Sequence, residues 1–297
     1  MPALTTFQAS VKPLSFRDRA FQALNDLPPF NPALNKLLAT LAKEDVFFSE
    51  VAAVIEKDTV LASNVLKLVN SALYARAGTV NSVRSAVAIL GLTKLRNLAL
   101  SLSVSRMFKQ VRTPKWWRHA EFNLHSVATA IMADTLAQRL AVSYPEGAFT
   151  AGLLHGIGKL LMAVALPDEL DRVLEAFQTQ ETATMEEVEL ACLGCSHVEL
   201  ASAALAQWRL PVEIQQAVAT QHQGLAVNPQ PGSKIPLGAL LHEAHELVNQ
   251  VGISTPTCAS PLKTAPAERL AGLGLQHAAD QLLAEYQSEF EAICCLF

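Results

Sequence analysis

The chain has 297 residues, of which 51% are apolar and 17% are charged, and it contains 13 glycines and 15 prolines. This length suits one large domain or two smaller domains that share a core, and the composition excludes a collagen-like or mainly disordered protein. The net charge is −4, yet no acidic residue occurs between Asp58 and Glu121, a segment with ten basic residues. This basic segment could face phosphates or an acidic protein, or it could pair with the acidic remainder of the same chain.

Three features of the sequence bear on where the protein works. The longest apolar stretch, residues 151–166, is interrupted by His155 and Lys159 and is shorter than the roughly 20 apolar residues that a membrane helix needs. The first residues lack the basic start and apolar run of a secretory signal. Five cysteines are an odd number for a disulfide framework, and Cys192 and Cys195 lack the second pair that a structural zinc site requires. These features predict a cytoplasmic protein with reduced thiols and no membrane span.

Apolar residues recur at helical spacing along almost the whole chain, as at Leu61, Val65, Leu68 and Val69. No sustained alternation of apolar and polar residues indicates a strand. The pattern therefore predicts an all-α fold of about a dozen helices.

Capping signals mark where several of these helices begin and end. Thr113 before Pro114 predicts a helix start, because proline suits the first helical position. Ser196 and Glu199 have the spacing of a capping box, in which each side chain satisfies a free amide of the other residue. Gly194 suits the left-handed residue that ends many helices.

The second half of the chain contains two stretches with the composition of linkers, at residues 223–234 and 252–266. Before them, Pro167 is expected to end one helix over residues 148–166. After them, the apolar stripe of residues 267–296 predicts a single C-terminal helix that docks on the body or on a second subunit.

Histidines are the residues most able to carry chemistry. His155 lies in the sequence A-G-L-L-H-G-I-G-K, where an imidazole and two glycines interrupt an apolar helix. One such histidine is usually a hydrogen-bonded core residue, but several together indicate a shared site. The chain has five histidines that a helical core could bring together: His125, His155, His197, His222 and His245.

Several ungapped motifs follow one another in a fixed order. They are L-P-P-F at 27–30, D-T-V-L-A-S-N-V-L-K-L-V-N-S-A-L-Y at 58–74, S-V-R-S-A-V-A-I-L-G at 82–91, H-S-V-A-T-A at 125–130, A-F-T-A-G-L-L-H-G-I-G-K at 148–159, G-C-S-H-V-E-L-A at 194–201 and W-R-L-P-V-E-I at 208–214. In these motifs the chain resembles the HDOD domains, a divergent branch of the HD superfamily of metal-dependent phosphohydrolases.

The resemblance covers residues 20–250 and implies an all-α, multi-helical HD-like bundle. It implies an N-terminal helical part over residues 20–115 and an HD-like part over residues 116–250. Residues 251–297 then form a linker and a C-terminal helical extension.

The resemblance also implies roles for individual residues. Catalytic HD proteins hold one or two metals with a histidine, a later His-Asp dyad and a distant aspartate, and these metals activate water. By this resemblance His125 matches the first ligand and His155 the histidine of the dyad. The dyad aspartate is Gly156 here, and the distant aspartate falls on His245.

Two carboxylates are thus absent, so we expect no catalytic residues and no hard-metal centre. The five histidines could form a vestigial site for Zn, Fe or Ni, which accept imidazole ligands, or a hydrogen-bonded cluster without any cofactor.

Three functions remain open from the sequence. The HDOD resemblance implies a non-catalytic bacterial signal-transduction module that acts through protein contacts with a separate partner. The alternatives are a residual metal-dependent phosphohydrolase and a nucleotide or nucleic-acid binder that uses the basic segment 58–121.

A candidate interaction surface lies in the basic segment. If it docks an acidic protein or a phosphate-bearing ligand, its side chains must be exposed and free of carboxylate partners. Trp116 and Trp117 could stack on a base, although tryptophans at a predicted helix start are more often core anchors. The candidate basic residues are Lys94, Arg96, Arg106, Lys109 and Arg112.

Overall fold

The computed structural model describes residues 14–29, 32–39, 48–71, 73–74, 79–179, 183–224, 233–254 and 265–297. Within these residues every regular element is a helix, and the only β pairing is an isolated parallel bridge between Val142 and Ile235. The predicted all-α fold is therefore confirmed.

The first six helices form the N-terminal part of the fold. They are α1 (Phe16–Gln22), α2 (Pro32–Ala39), α3 (Phe48–Glu56), α4 (Thr59–Val69), α5 (Val83–Leu90) and α6 (Leu92–Lys109). Helix α6 lies at the centre of this part, because α2 to α5 pack around it and it also contacts the helices that follow.

Ten more helices complete the described residues. They are α7 (His119–Ala137), α8 (Ala148–Leu154), α9 (Ile157–Ala165), α10 (Pro167–Gln178), α11 (Met185–Leu193), α12 (His197–Gln207), α13 (Val212–Ala219), α14 (Leu237–Gln250), α15 (Pro266–Gly272) and α16 (Ala279–Cys294). Helix α7 packs against α8, α14 and α16, and α12 packs against α9 and α13.

Two glycines of the A-G-L-L-H-G-I-G-K motif allow close helix packing. A Cβ atom added to Gly152 would lie 2.6 Å from the Cα of Ala130, so α8 approaches the backbone of α7 directly. A Cβ atom added to Gly158 would overlap the backbone carbonyl of His197, so α9 and α12 are equally close. These contacts bring three histidine-bearing helices together.

The single helix predicted over residues 148–166 is wrong, because the structure breaks it between α8 and α9. The break falls at the histidine of the motif. The ring Nδ1 of His155 donates to the carbonyl of Gly152 at 2.6 Å, and Gly156 forms the turn into α9. Pro167 occupies the first turn of α10 and so opens the next helix.

Two other boundaries differ from the prediction. The helix start predicted at Thr113 and Pro114 is wrong. The Trp117 amide donates to the Pro114 carbonyl at 3.0 Å and closes a turn there, and α7 begins only at His119. The single C-terminal helix over 267–296 is two helices, because a turn containing Gly274, with φ of 76°, separates α15 from α16.

The predicted capping box at Ser196 and Glu199 is confirmed, with both reciprocal hydrogen bonds present. Gly194, with φ of 71°, ends α11 in the left-handed conformation, as expected. The predicted linkers at 223–234 and 252–266 fall mostly outside the described residues.

Buried apolar side chains from Ala20 to Ile293 form one contiguous cluster. This core includes both parts of the fold, while their division near residue 115 stays a prediction. The stretch Pro145–Ala165 is long and apolar enough to cross a membrane, but its most apolar 18 residues, with a mean hydropathy of 1.5, are 89% buried inside the protein. Two pairs of helices joined by a sharp bend, at 83–109 and 185–207, are long and apolar enough only if each pair is counted as one span.

Candidate functional site

Three of the five predicted histidines meet in the core of the second half. His125 lies on α7, His155 at the end of α8 and His245 on α14, and all three are buried. One nitrogen of each ring lies within 4.8 Å of the others, and the ring centroids are 5.1 to 5.3 Å apart. We call these three residues the histidine trio.

Hydrogen bonds fix the tautomers of the trio. His125 Nδ1 donates to the Ile253 carbonyl at 2.7 Å and His155 Nδ1 donates to Gly152, since a carbonyl can only accept. The Asn249 amide donates to His245 Nε2 at 3.4 Å. Each Nε2 therefore carries a lone pair, as a metal ligand requires, and His245 would exchange its long hydrogen bond from Asn249 for the metal.

The trio suits a nitrogen-preferring metal. His125 Nε2 is buried and has no hydrogen-bond partner in the described part of the chain, a costly arrangement for a polar atom. Two imidazole nitrogens on tetrahedral zinc lie about 3.4 Å apart, whereas the ring nitrogens of the trio lie within 4.8 Å of one another. A small inward movement of the three rings would therefore complete such a site. A metal bound there would act as a Lewis acid and cross-link α7, α8 and α14.

The space next to Gly156 is occupied by an aromatic ring. A Cβ atom added to Gly156 would lie 3.0 Å from Cε2 of Phe122, closer than ordinary packing allows. A side chain at this position would require that ring to shift by a few tenths of an ångström. No carboxylate belongs to the trio, and imidazoles are poor ligands for Mg²⁺ or Mn²⁺, so the residues do not fit a hard metal.

The other two histidines form a separate hydrogen-bonded pair. Nε2 of His197 and Nε2 of His222 are 3.0 Å apart, so one ring donates to the other. Burial is the main reason that the pKa of His222 falls to about 2, and the neighbouring His197 and Lys159 lower it further. The low pKa keeps this ring neutral. The pair adjoins the trio, because the ring centroids of His222 and His245 are 6.2 Å apart.

A buried glutamate, which was not among the residues predicted from the sequence, anchors this pair. Glu189 Oε2 accepts from the backbone amide of His197 at 2.8 Å and from its Nδ1 at 2.6 Å. Its side chain is 2% exposed. One face of α11 carries residues at four-residue steps, namely Met185, Glu189 and Leu193. An acidic residue within such an apolar stripe is the sequence feature that could have identified Glu189 as buried.

Two of the five candidate basic residues have carboxylate partners, so the condition for a free interaction surface fails at Lys94 and Arg106. Lys94 pairs with Glu289 of α16 at 2.8 Å, and Arg106 pairs with Asp58 at 2.7 Å. The acidic C-terminal helix and the cap of α4 thus neutralise two of these charges.

The remaining three candidates have different environments. Lys109 donates to the Phe297 carbonyl at 3.0 Å. Arg96 is largely buried, which lowers its pKa. Arg112 is exposed and forms no ion pair with the described part of the chain.

An exposed turn follows Arg112 between α6 and α7. The Trp117 amide closes the turn on Pro114, with Lys115 and Trp116 at its tip, and Trp116 is 39% exposed. Arg118 is also exposed and makes a weak pair with Glu121 at 3.4 Å. We call residues 112–118 the tryptophan turn.

A row of rings leads inward from this turn. Successive rings in this row have centroids 5.2 to 6.0 Å apart, in the order Trp116, Trp117, Phe122 and Phe108. Phe122 is the same ring that lies against Gly156. The row of aromatic side chains therefore leads from the exposed turn to Gly156, the residue that follows His155 in sequence.

Among curated proteins, the chain is similar to an uncharacterized protein of Treponema pallidum (strain Nichols), with 24% identity over 201 residues. The match covers 67% of this chain but only 38% of the relative, so the chain spans well under two thirds of that protein's length.

Solved structures share the fold. An HDOD domain protein of unknown function from Geobacter sulfurreducens has a TM-score of 0.73 at 23% identity, with 95% of this chain and 99% of that chain covered. A candidate signal transduction protein from Marinobacter aquaeolei VT8 has a TM-score of 0.70 at 22% identity, with 95% and 65% covered. A candidate phosphohydrolase from Shewanella amazonensis SB2B has a TM-score of 0.70 at 24% identity, with 94% and 97% covered.

These structural similarities show that the chain has the same helical fold, and they do not determine its activity. The family is shown by sequence, because the HDOD domain pattern matches residues 27–224, more than half of the chain. The resemblance carried by the motifs is therefore correct, and the chain belongs to the HDOD domain family.

Proposed function

We propose that the chain is a non-catalytic signal-transduction module that acts through protein contacts and holds a nitrogen-preferring metal in its degenerate HD site. The observation that carries this proposal is a buried trio of imidazoles without a carboxylate, beside a Gly156 whose side-chain space is filled by Phe122.

Burial argues against hydrolysis. Zinc held by three histidines activates water in some enzymes, but such sites keep an open position for substrate. His125, His155 and His245 are only 2%, 2% and 6% exposed. A metal held by these rings would stabilise the packing of three helices and have little contact with a substrate.

The family and its structural relatives agree with a regulatory role. The Marinobacter protein is a candidate signal transduction protein, whereas the Shewanella protein is a candidate phosphohydrolase. A residual phosphohydrolase is therefore the competing function, and the two make opposite predictions for turnover. A cytoplasmic location remains the expectation from the sequence.

The first test measures metal content and turnover on the same purified protein. We expect about one Zn, Fe or Ni per chain, loss of that metal in His155→Ala, and no hydrolysis of phosphodiesters or phosphomonoesters with Mg²⁺ or Mn²⁺. Turnover that survives repurification and disappears in His155→Ala would establish the phosphohydrolase instead. A metal-free wild-type protein would refute the metal site.

The tryptophan turn is the surface that we propose for the protein partner. Exposed tryptophan and arginine often supply most of the binding energy at interfaces. Arg112, Lys115 and Arg118 give the surface a positive charge, which suits an acidic segment of the partner. Three cations are few for nucleic-acid binding, which usually relies on many phosphate contacts.

The second test replaces Trp116 with a photo-crosslinking amino acid in the native host. We expect a covalent protein adduct that is lost when Arg112→Glu and Lys115→Glu are added, with the melting temperature changed by only a few degrees because both side chains are exposed. The same crosslinker at Val212, which is also exposed, is the control. A nuclease-sensitive adduct, or equal capture at Val212, would contradict this surface.

A further inference from the structure

Residues that follow α14 contact one histidine of the trio directly and the sequence neighbours of another. The carbonyl of Ile253 accepts from His125 Nδ1 at 2.7 Å. Arg269, on α15, binds Glu243 at 2.8 Å and Glu246 at 3.3 Å, and these two glutamates flank His245 on α14. Both contacts lie beyond residues 27–224, where the family pattern matches.

Arg269 holds its two glutamates in a partly buried position. The side chain of Arg269 is 18% exposed, and those of Glu243 and Glu246 are 9% and 16% exposed. The planar guanidinium can bind two carboxylates in a fixed geometry, and partial burial reduces screening by solvent. The orientation of Glu246 therefore depends on Arg269.

Glu246 in turn faces a ring of the trio. Its Oε1 lies 4.0 Å from Nδ1 of His245, which is the protonated nitrogen if Asn249 donates to Nε2. A carboxylate beside the Nδ1–H of a metal-ligating histidine orients the ring and makes its other nitrogen a stronger ligand. A small rotation of either side chain would convert this approach into a hydrogen bond.

We infer that Arg269 is a positioning residue for His245 and that the C-terminal segment thereby sets the metal affinity of the trio. The inference rests on the metal site proposed above and adds the element that regulates it. Detachment of α15 from α14 would free Glu246 and weaken metal binding. The same ion pairs would also serve a purely structural role, in which Arg269 only fastens α15 to the body.

The test compares zinc affinities, measured by competition with a chromogenic chelator, in the full-length chain. Loss of an outer partner of a metal ligand typically lowers affinity 10- to 100-fold, so we expect a decrease of about this size in Arg269→Ala and a smaller one in Arg269→Lys. Arg139→Ala is the matched control, because Arg139 pairs with Glu285 of α16 and not with the glutamates beside His245. Its zinc affinity should remain within about threefold of the wild type.

A second variant covers the case in which Arg269→Ala does not fold. Glu246→Gln keeps the side-chain shape and should also weaken zinc binding, and it should shift the visible absorption spectrum of the cobalt-substituted protein. Unchanged affinity and spectrum in both folded variants would overturn this inference while leaving the metal site intact. A wild-type chain that binds none of Zn, Fe and Ni would instead overturn the proposed metal site, and this inference with it.

Discussion

Replacing Gly158 with alanine is expected to lower the free energy of unfolding by about 3 kcal/mol or more, the upper range for an overpacked core. The added Cβ would overlap the backbone carbonyl of His197, and a backbone atom cannot rotate away as a side chain can. Helices α9 and α12 would have to separate, which would also disturb the His197–Glu189 contact. Urea denaturation of chelator-treated protein checks this result without a contribution from metal.

Gly272→Ala is the matched control for this substitution. An added Cβ at Gly272 meets no atom within 4 Å, and its φ is not positive. Alanine in a helix loses less conformational entropy on folding than glycine, so the control should change stability by less than about 1 kcal/mol, in the stabilising direction. Equal stabilities for the two variants would show that α9 and α12 are not in backbone contact.

Replacing Glu189 with alanine is expected to cost about 2 to 5 kcal/mol, because each buried hydrogen-bond donor left without an acceptor costs about 1 to 3 kcal/mol. The carboxylate accepts two hydrogen bonds from His197, and both donors would remain buried without a partner. Glu189→Gln should cost less, because its amide oxygen still accepts although the negative charge is lost.

The control for Glu189 is Glu175→Ala on α10, where the side chain is exposed. Exposed substitutions of this kind usually change stability by no more than about 0.5 kcal/mol. Thermal or urea unfolding of the chelator-treated variants measures the difference. If Glu189→Ala were as stable as Glu175→Ala, the buried contact between Glu189 and His197 would not exist in solution.

Local patterns predicted the helical fold and several of its caps. The capping box of Ser196 and Glu199 depends on a three-residue spacing, and the left-handed cap at Gly194 depends on one backbone conformation. Interactions of this range are readable from neighbouring residues, because their geometry is set within one turn of helix. The family motifs likewise indicated five candidate histidines for the site.

Helix breaks were less predictable. The interruption at His155 requires a ring that turns back to the Gly152 carbonyl, and it became visible only with packing against α7 and α12. Hydropathy alone treats residues 148–166 as one apolar run, because apolar side chains on both sides of the break are equally buried.

The residue sequence establishes an all-α HDOD chain with five candidate histidines and two missing carboxylates. It could not divide these histidines into a trio and a pair, identify Glu189 as a partner, or show that Phe122 fills the space beside Gly156. Nor could it show that Glu289 neutralises Lys94, 195 positions earlier in the chain. Each of these facts depends on contacts between residues far apart in sequence, and such contacts form only when the helices pack around a common core.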